Sequence, residues 1–190
     1  MNLITVSQIL FILGFICWLF PPFKQFGGNY FYFFLILALM DPIALLLRPI
    51  KAQFLLHPLY LTGSFLLFVS LFEKKELKKY FIVFLLGLIL INIFSNSTDL
   101  QIYHGSLLVV HLLILIIFLQ RMIVDYVGSN RIQGFLLILI FYELTTILKF
   151  FNFMLGFTNA AGFYIITSIA QIAFGLYFSI IRENKQEPVS

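Results

Sequence analysis

Seven stretches of apolar residues, each between 15 and 22 residues long, follow one another from end to end of the chain. They run Leu3 to Phe20, Tyr30 to Leu47, Phe54 to Phe72, Tyr80 to Phe94, Ile102 to Leu119, Phe135 to Phe151 and Ala160 to Ile181. A helix that crosses a hydrocarbon core about 30 Å thick needs roughly 20 residues, or about 17 at the short end. Strands of a membrane barrel would alternate apolar and polar residues, whereas these stretches are apolar on every face. The expected fold is an all-α integral membrane protein with seven transmembrane helices, one domain over residues 1–190. Composition excludes the soluble alternative: at 62% hydrophobic and 11% charged residues there is too little polar surface to wrap an aqueous core.

The start of the chain has no positive leader and no small-residue cleavage site, so it is read as a retained first span. The single cysteine, Cys17, cannot form an internal disulfide and is read as packing. The net charge of +4 lies in the connections, which argues for membrane orientation and against nucleic acid as a partner.

Positive residues concentrate in cytoplasmic loops. With the N-terminus outside and the C-terminus cytoplasmic, the inner set is Lys24, Lys74, Lys75, Lys78, Lys79, Arg121, Arg131, Arg182 and Lys185. Arg48, Lys51 and Lys149 remain outside, nine against three. Demoting the weakest span, residues 80–94, to a surface helix makes the tally six against six. Seven spans therefore fit the charges better. Basic inner loops and the lack of disulfide cysteines suit a bacterial inner (cytoplasmic) membrane.

Phe34 to Asp41 (FLILALMD) and Leu136 to Glu143 (LLILIFYE) match at a constant offset of 102, acid on acid. A base follows each acid, Arg48 and Lys149, and a turn ending in Asn precedes each segment, Gly27 to Asn29 and Gly128 to Asn130. This echo predicts a 3+1+3 arrangement of parallel repeats, residues 3–72 and 102–181, joined by a linker helix over 80–94. The plan resembles that of the PQ-loop and SWEET-type carriers. Their Pro-Gln signature is absent, however. Pro21-Pro22-Phe23-Lys24-Gln25 stands at the first position and Gln120-Arg121 at the second, so no family is assigned.

Asp41 and Glu143 sit deep in their apolar runs, about 16 Å and about 12 Å from the inner ends at 1.5 Å per residue. A charge at mid-depth costs from about 2.5 kcal/mol upward, which makes an intramembrane acid a functional-site hypothesis. His111, Gln171 and Asn92 fall about 14, 16 and 18 Å along their own spans. Lipid cannot satisfy such groups, so they should face one another or a cavity. Asp41, Glu143 and His111 are the candidate ligand- and proton-binding residues, because a carboxylate beside an imidazole can exchange a proton. Asn92, Gln171, Thr146, Lys149 and Arg48 are supporting polar groups. Pro42 should kink the helix beside Asp41.

No metal site is expected, since His104 and His111 are about 10 Å apart along the helix axis. Enzyme motifs such as H-E-x-x-H and G-x-S-x-G are absent, and no catalytic residue or cofactor is assigned. Thr62-Gly63-Ser64 reads as a close helix contact rather than a nucleophile. The leading expectation is a small carrier or ligand-binding protein of the lipid bilayer that handles a proton or a small polar or cationic solute. The first alternative is a sensory or assembly subunit acting through a partner membrane chain. An intramembrane hydrolase built on Asp41, His111 and Glu143 ranks third.

Overall fold

A computed structural model describes residues 3–47, 53–95, 100–155 and 160–183. Among them the regular structure is helix, with no strand: α1 (Leu3–Leu19), α2 (Pro21–Lys24), α3 (Phe31–Leu47), α4 (Leu56–Val69), α5 (Lys74–Lys79), α6 (Phe81–Ser95), α7 (Leu100–Ser129), α8 (Gly134–Leu155) and α9 (Ala160–Ile180). A single 3-10 turn, Gln53–Leu55, leads into α4.

Four segments are helical, long and apolar enough to cross a membrane: Thr5–Lys24, Leu100–Ser129, Gly134–Leu155 and Gly162–Ile180. Three shorter apolar helices lie over Phe31–Leu47, Leu56–Val69 and Phe81–Ile91. Isoleucine, leucine and valine side chains are exposed along the helices, among them Ile12, Ile16, Leu46, Ile82, Val109, Ile116 and Ile166. Water would not tolerate that much contiguous apolar surface, so these are the features of an integral membrane protein.

Contacts between helices close a ring in the order α1, α3, α4, α7, α8, α9 and back to α1, with α6 set outside it against α4 and α7. The end of the ring where α3 and α8 begin is filled by aromatic side chains. Phe34 and Phe178 pack with ring centroids 4.9 Å apart, Phe135 and Phe178 at 5.2 Å, and Trp18 and Tyr142 at 4.9 Å. Such pairs add to plain area burial. Phe33, Phe34, Phe118 and Phe178 are fully enclosed there.

Three connections differ from the sequence reading. Residues 120–129, expected as loop, continue α7 to Ser129, giving a helix of 30 residues, or about 45 Å. No proline interrupts that segment, and Gly128 alone does not stop it. Asn130 does, taking a left-handed backbone (φ 50°) while its N–H bonds the Tyr126 carbonyl at 2.8 Å. The basic loop EKKELKK holds the short helix α5, started by a capping box between Glu73 and Glu76. The Pro-Pro connection forms α2, and beyond it Gln25 is completely buried.

Gln25 secures the last turn of α9. Its Nε2 donates to the carbonyls of Phe178 (3.0 Å) and Ile181 (2.7 Å), and its Oε1 accepts the N–H of Glu183 at 3.1 Å. The final carbonyls of a helix have no partner within the helix, and in lipid none would come from water. The Glu183 carboxylate in turn accepts from the N–H and side-chain amide of Asn29, both at 2.9 Å. Gly27 makes the turn between them at φ 72°.

Glycine sets the spacing of α1 and α9. A Cβ on Gly175 would stand 3.3 Å from Cys17 Cβ and 3.4 Å from Trp18 Nε1. Gly175→Val is therefore expected to push the helices apart and lower stability by about 1–3 kcal/mol. Thermal melting in detergent checks this, and an unchanged melting temperature would contradict the close contact.

Candidate functional site

The other half of the ring lines a half-open cavity of about 460 Å³. Every one of the six ring helices contributes to it. Asp41 comes from α3, Ser64 from α4, His111 from α7, Thr146 and Lys149 from α8, and Gln171 from α9, while α1 supplies Gly14 and Trp18. That volume lies within the range of small-molecule sites, roughly 300–1,000 Å³.

Glu143 stands behind the cavity wall. It is fully buried on α8, and its Oε2 lies 2.8 Å from His111 Nδ1. The other ring nitrogen of His111, Nε2, lies 3.2 Å from Ser64 Oγ. Three side chains from three helices thus form one chain: carboxylate, imidazole, hydroxyl. In the tautomer with its proton on Nδ1, His111 donates to Glu143 and its Nε2 accepts from the Ser64 hydroxyl. The imidazole ring is held on its flank by Phe150, at a centroid distance of 5.3 Å. The second carboxylate oxygen of Glu143, Oε1, is buried with no hydrogen-bond partner among the described residues.

Lys149 and Asp41 line the same cavity and are near enough for their charges to interact. The Lys149 ammonium sits over the Tyr164 ring at 5.5 Å, so an aromatic face shares its solvation. Thr146 bonds back to the carbonyl of Tyr142 at 3.1 Å, which occupies its hydroxyl proton within α8.

The arrangement gathers Asp41, His111, Thr146, Lys149 and Gln171 around one space, with Glu143 one bond behind. Asn92 lies on α6, outside the ring, and its side chain is outside the described residues, as is Arg48. Pro42 lies inside α3, which continues past it to Leu47, and its ring removes the helical donor for the Ala38 carbonyl. Ser64 is the residue that sequence reasoning set aside. Its neighbour Gly63 does make the close helix contact expected there, since a Cβ at that position would overlap Met40 Sδ. Ser64 itself faces the cavity and His111. The signal was present as a hydroxyl within an apolar run, but only the crossing of α4 and α7 pairs it with an imidazole.

Among the described residues, no three His, Cys, Asp or Glu side chains converge as a metal site would need. Compared with protein-family models, with curated proteins and with solved structures, the chain matches none.

Proposed function

We propose that this protein is a small seven-span carrier or ligand-binding protein of a bacterial inner membrane, and that its cavity takes a proton together with a small polar or cationic solute. The observation that carries the reading is the convergence of Asp41 and His111 on one cavity of about 460 Å³, with Glu143 bonded behind the imidazole. Asp41 is the counter-ion for a cationic group, aromatic walls at Trp18, Tyr60 and Tyr164 suit such a group as well, and Gln171 offers both a donor and an acceptor. His111 and Glu143 hold the proton.

Seven spans ask α3, α4 and α6 to cross as well. At 17 residues α3 meets the short end of the spanning range, and α4 reaches the same length with its 3-10 turn, from Gln53 to Val69. Shorter helices are accommodated by local thinning of the bilayer at modest cost. With the N-terminus outside, the cavity belongs to the outer half and the aromatic layer to the inner half. The ring order is compatible with the 3+1+3 reading, in which a two-fold axis would map α1, α3 and α4 onto α7, α8 and α9.

The test is thermal melting of the detergent-purified protein across pH and against a panel of amines, amino acids and sugars. A ligand at 100 times its dissociation constant stabilises the native state by about 2.7 kcal/mol. A solute-dependent rise in melting temperature is expected in the wild type and is lost in Asp41→Asn. Glu143→Gln is expected to remove the pH dependence of that rise. If the wild type responds to no solute and both variants merely melt earlier, the polar cluster is packing and the proposal fails.

A further inference from the structure

The order Ser64 Oγ, His111 Nε2, His111 Nδ1, Glu143 Oε2 has a meaning beyond solute binding. Each ring nitrogen faces the partner that nucleophilic catalysis requires, with the hydroxyl on Nε2 and the carboxylate on Nδ1. The separations, 3.2 Å and 2.8 Å, match the reach of about 2.6–3.2 Å at which a base activates a nucleophile. Only the hydroxyl end reaches the cavity together with the imidazole, while the carboxylate is sealed at 0% exposure. That is also the polarity a relay needs: nucleophile toward substrate, orienting acid away from it. The three residues are 47 and 32 positions apart in sequence, so the alignment is made by the crossing of α4, α7 and α8 and not by local chain geometry.

We propose that Ser64 and His111 are catalytic residues, and Glu143 their positioning residue, in acyl transfer from a carboxylic ester with an apolar acyl chain. The cavity walls suit such a substrate. Leu10, Phe15 and Leu37 are apolar parts of the wall, and Lys149 and Gln171 are polar parts of it. Ser64 lies within α4, so its own N–H is used in the helix ladder and cannot hold the developing oxyanion. Side chains must supply that charge stabilisation. Tyr60, one turn before Ser64 on the same helix face, and Lys149 line the same cavity and are the side chains offered for that role.

The chemistry balances with water as the only co-reactant. Ser64 Oγ forms a bond to the acyl carbon as its proton passes to His111 Nε2. The ester C–O bond then breaks, and the departing alkoxide takes that proton from Nε2 and leaves as the alcohol. Water attacks the acyl-serine, giving a proton to Nε2. The acyl–Oγ bond breaks, Oγ takes the proton back, and the carboxylic acid is released. Glu143 accepts from Nδ1–H throughout and holds the ring in place.

The activity is independent of transport and asks only that an ester reach the cavity. Its test uses the full-length protein in detergent micelles. A long-chain alkyl fluorophosphonate is expected to add covalently to Ser64, located by peptide mass spectrometry. p-Nitrophenyl octanoate is expected to be turned over by the wild type, with Ser64→Ala and His111→Ala at the rate of protein-free micelles. Glu143→Gln should slow labelling on the order of 100-fold or more, and Glu143→Asp, which keeps a carboxylate, should recover part of it. A purely structural pair would leave labelling indifferent to that distinction. A wild type that is not labelled at Ser64 and does not cleave the ester overturns the proposal. If such an inert protein still shows the solute-dependent melting shift, the binding reading survives alone. Labelling without any melting shift leaves the relay and removes the carrier.

Discussion

Replacing Glu143 alone by leucine is expected to lower the stability of the protein by about 3–5 kcal/mol, and adding His111→Leu to the same chain is expected to recover most of that loss. The Glu143 carboxylate is fully buried and His111 is 3% exposed, so neither can turn to water when its partner goes. Removing one member leaves the other with its desolvation cost and nothing to offset it, which is what makes a broken buried pair expensive. Replacing both members by apolar side chains of similar size removes the need for the bond, and such replacements are often close to neutral. A double-mutant cycle on unfolding in detergent, by heat or by sodium dodecyl sulfate, reads the coupling directly. Additive losses in the double variant would mean that the 2.8 Å contact contributes little and that each side chain acts by its volume.

Gln25→Leu is expected to cost about 2–4 kcal/mol, from three hydrogen bonds and the backbone groups they leave behind. The leucine fills a comparable volume, so the loss reports polar satisfaction more than packing. Gln25→Glu should do no better. It keeps an acceptor for the Glu183 N–H but replaces the donor to the Phe178 and Ile181 carbonyls with a charge that repels them, close to the Glu183 carboxylate. Amide hydrogen exchange near the end of α9 should quicken in both variants. If exchange there stays at the wild-type rate, the clasp is not what holds α9 closed.

The sequence made the helices legible. Counting 1.5 Å per residue along separate helices was enough to expect Asp41, His111 and Gln171 at one level, and all three line one cavity. Which way each helix faces was harder to read. Helices apolar on every side carry no stripe to mark an inner face, so only the scattered polar residues give orientation. Ser64 was missed for that reason. A hydroxyl is common in a membrane helix, and nothing along α4 announces an imidazole arriving from α7. Gln25 was missed differently: among prolines and glycines it reads as turn, yet its amide belongs to the far end of the chain, 153 residues away. The extent of α7 escaped because charge and glycine were taken as punctuation, whereas the helix runs on to Ser129 and the backbone turns left-handed only at Asn130.

The aromatic layer around Phe34, Phe135 and Phe178 separates the cavity from a second hollow of about 900 Å³ at the opposite end, bordered by Tyr30, Arg121, Asp125 and Glu183. Anything passing from one to the other must part those rings, and the Gln25 clasp ties two of the helices that carry or flank them. In the proposed carrier that layer is the valve, and its leakiness would be set by how tightly a few benzene rings interlock. Under that proposal, whether a solute is carried or merely held is decided by phenylalanines that do not line the cavity in which it rests.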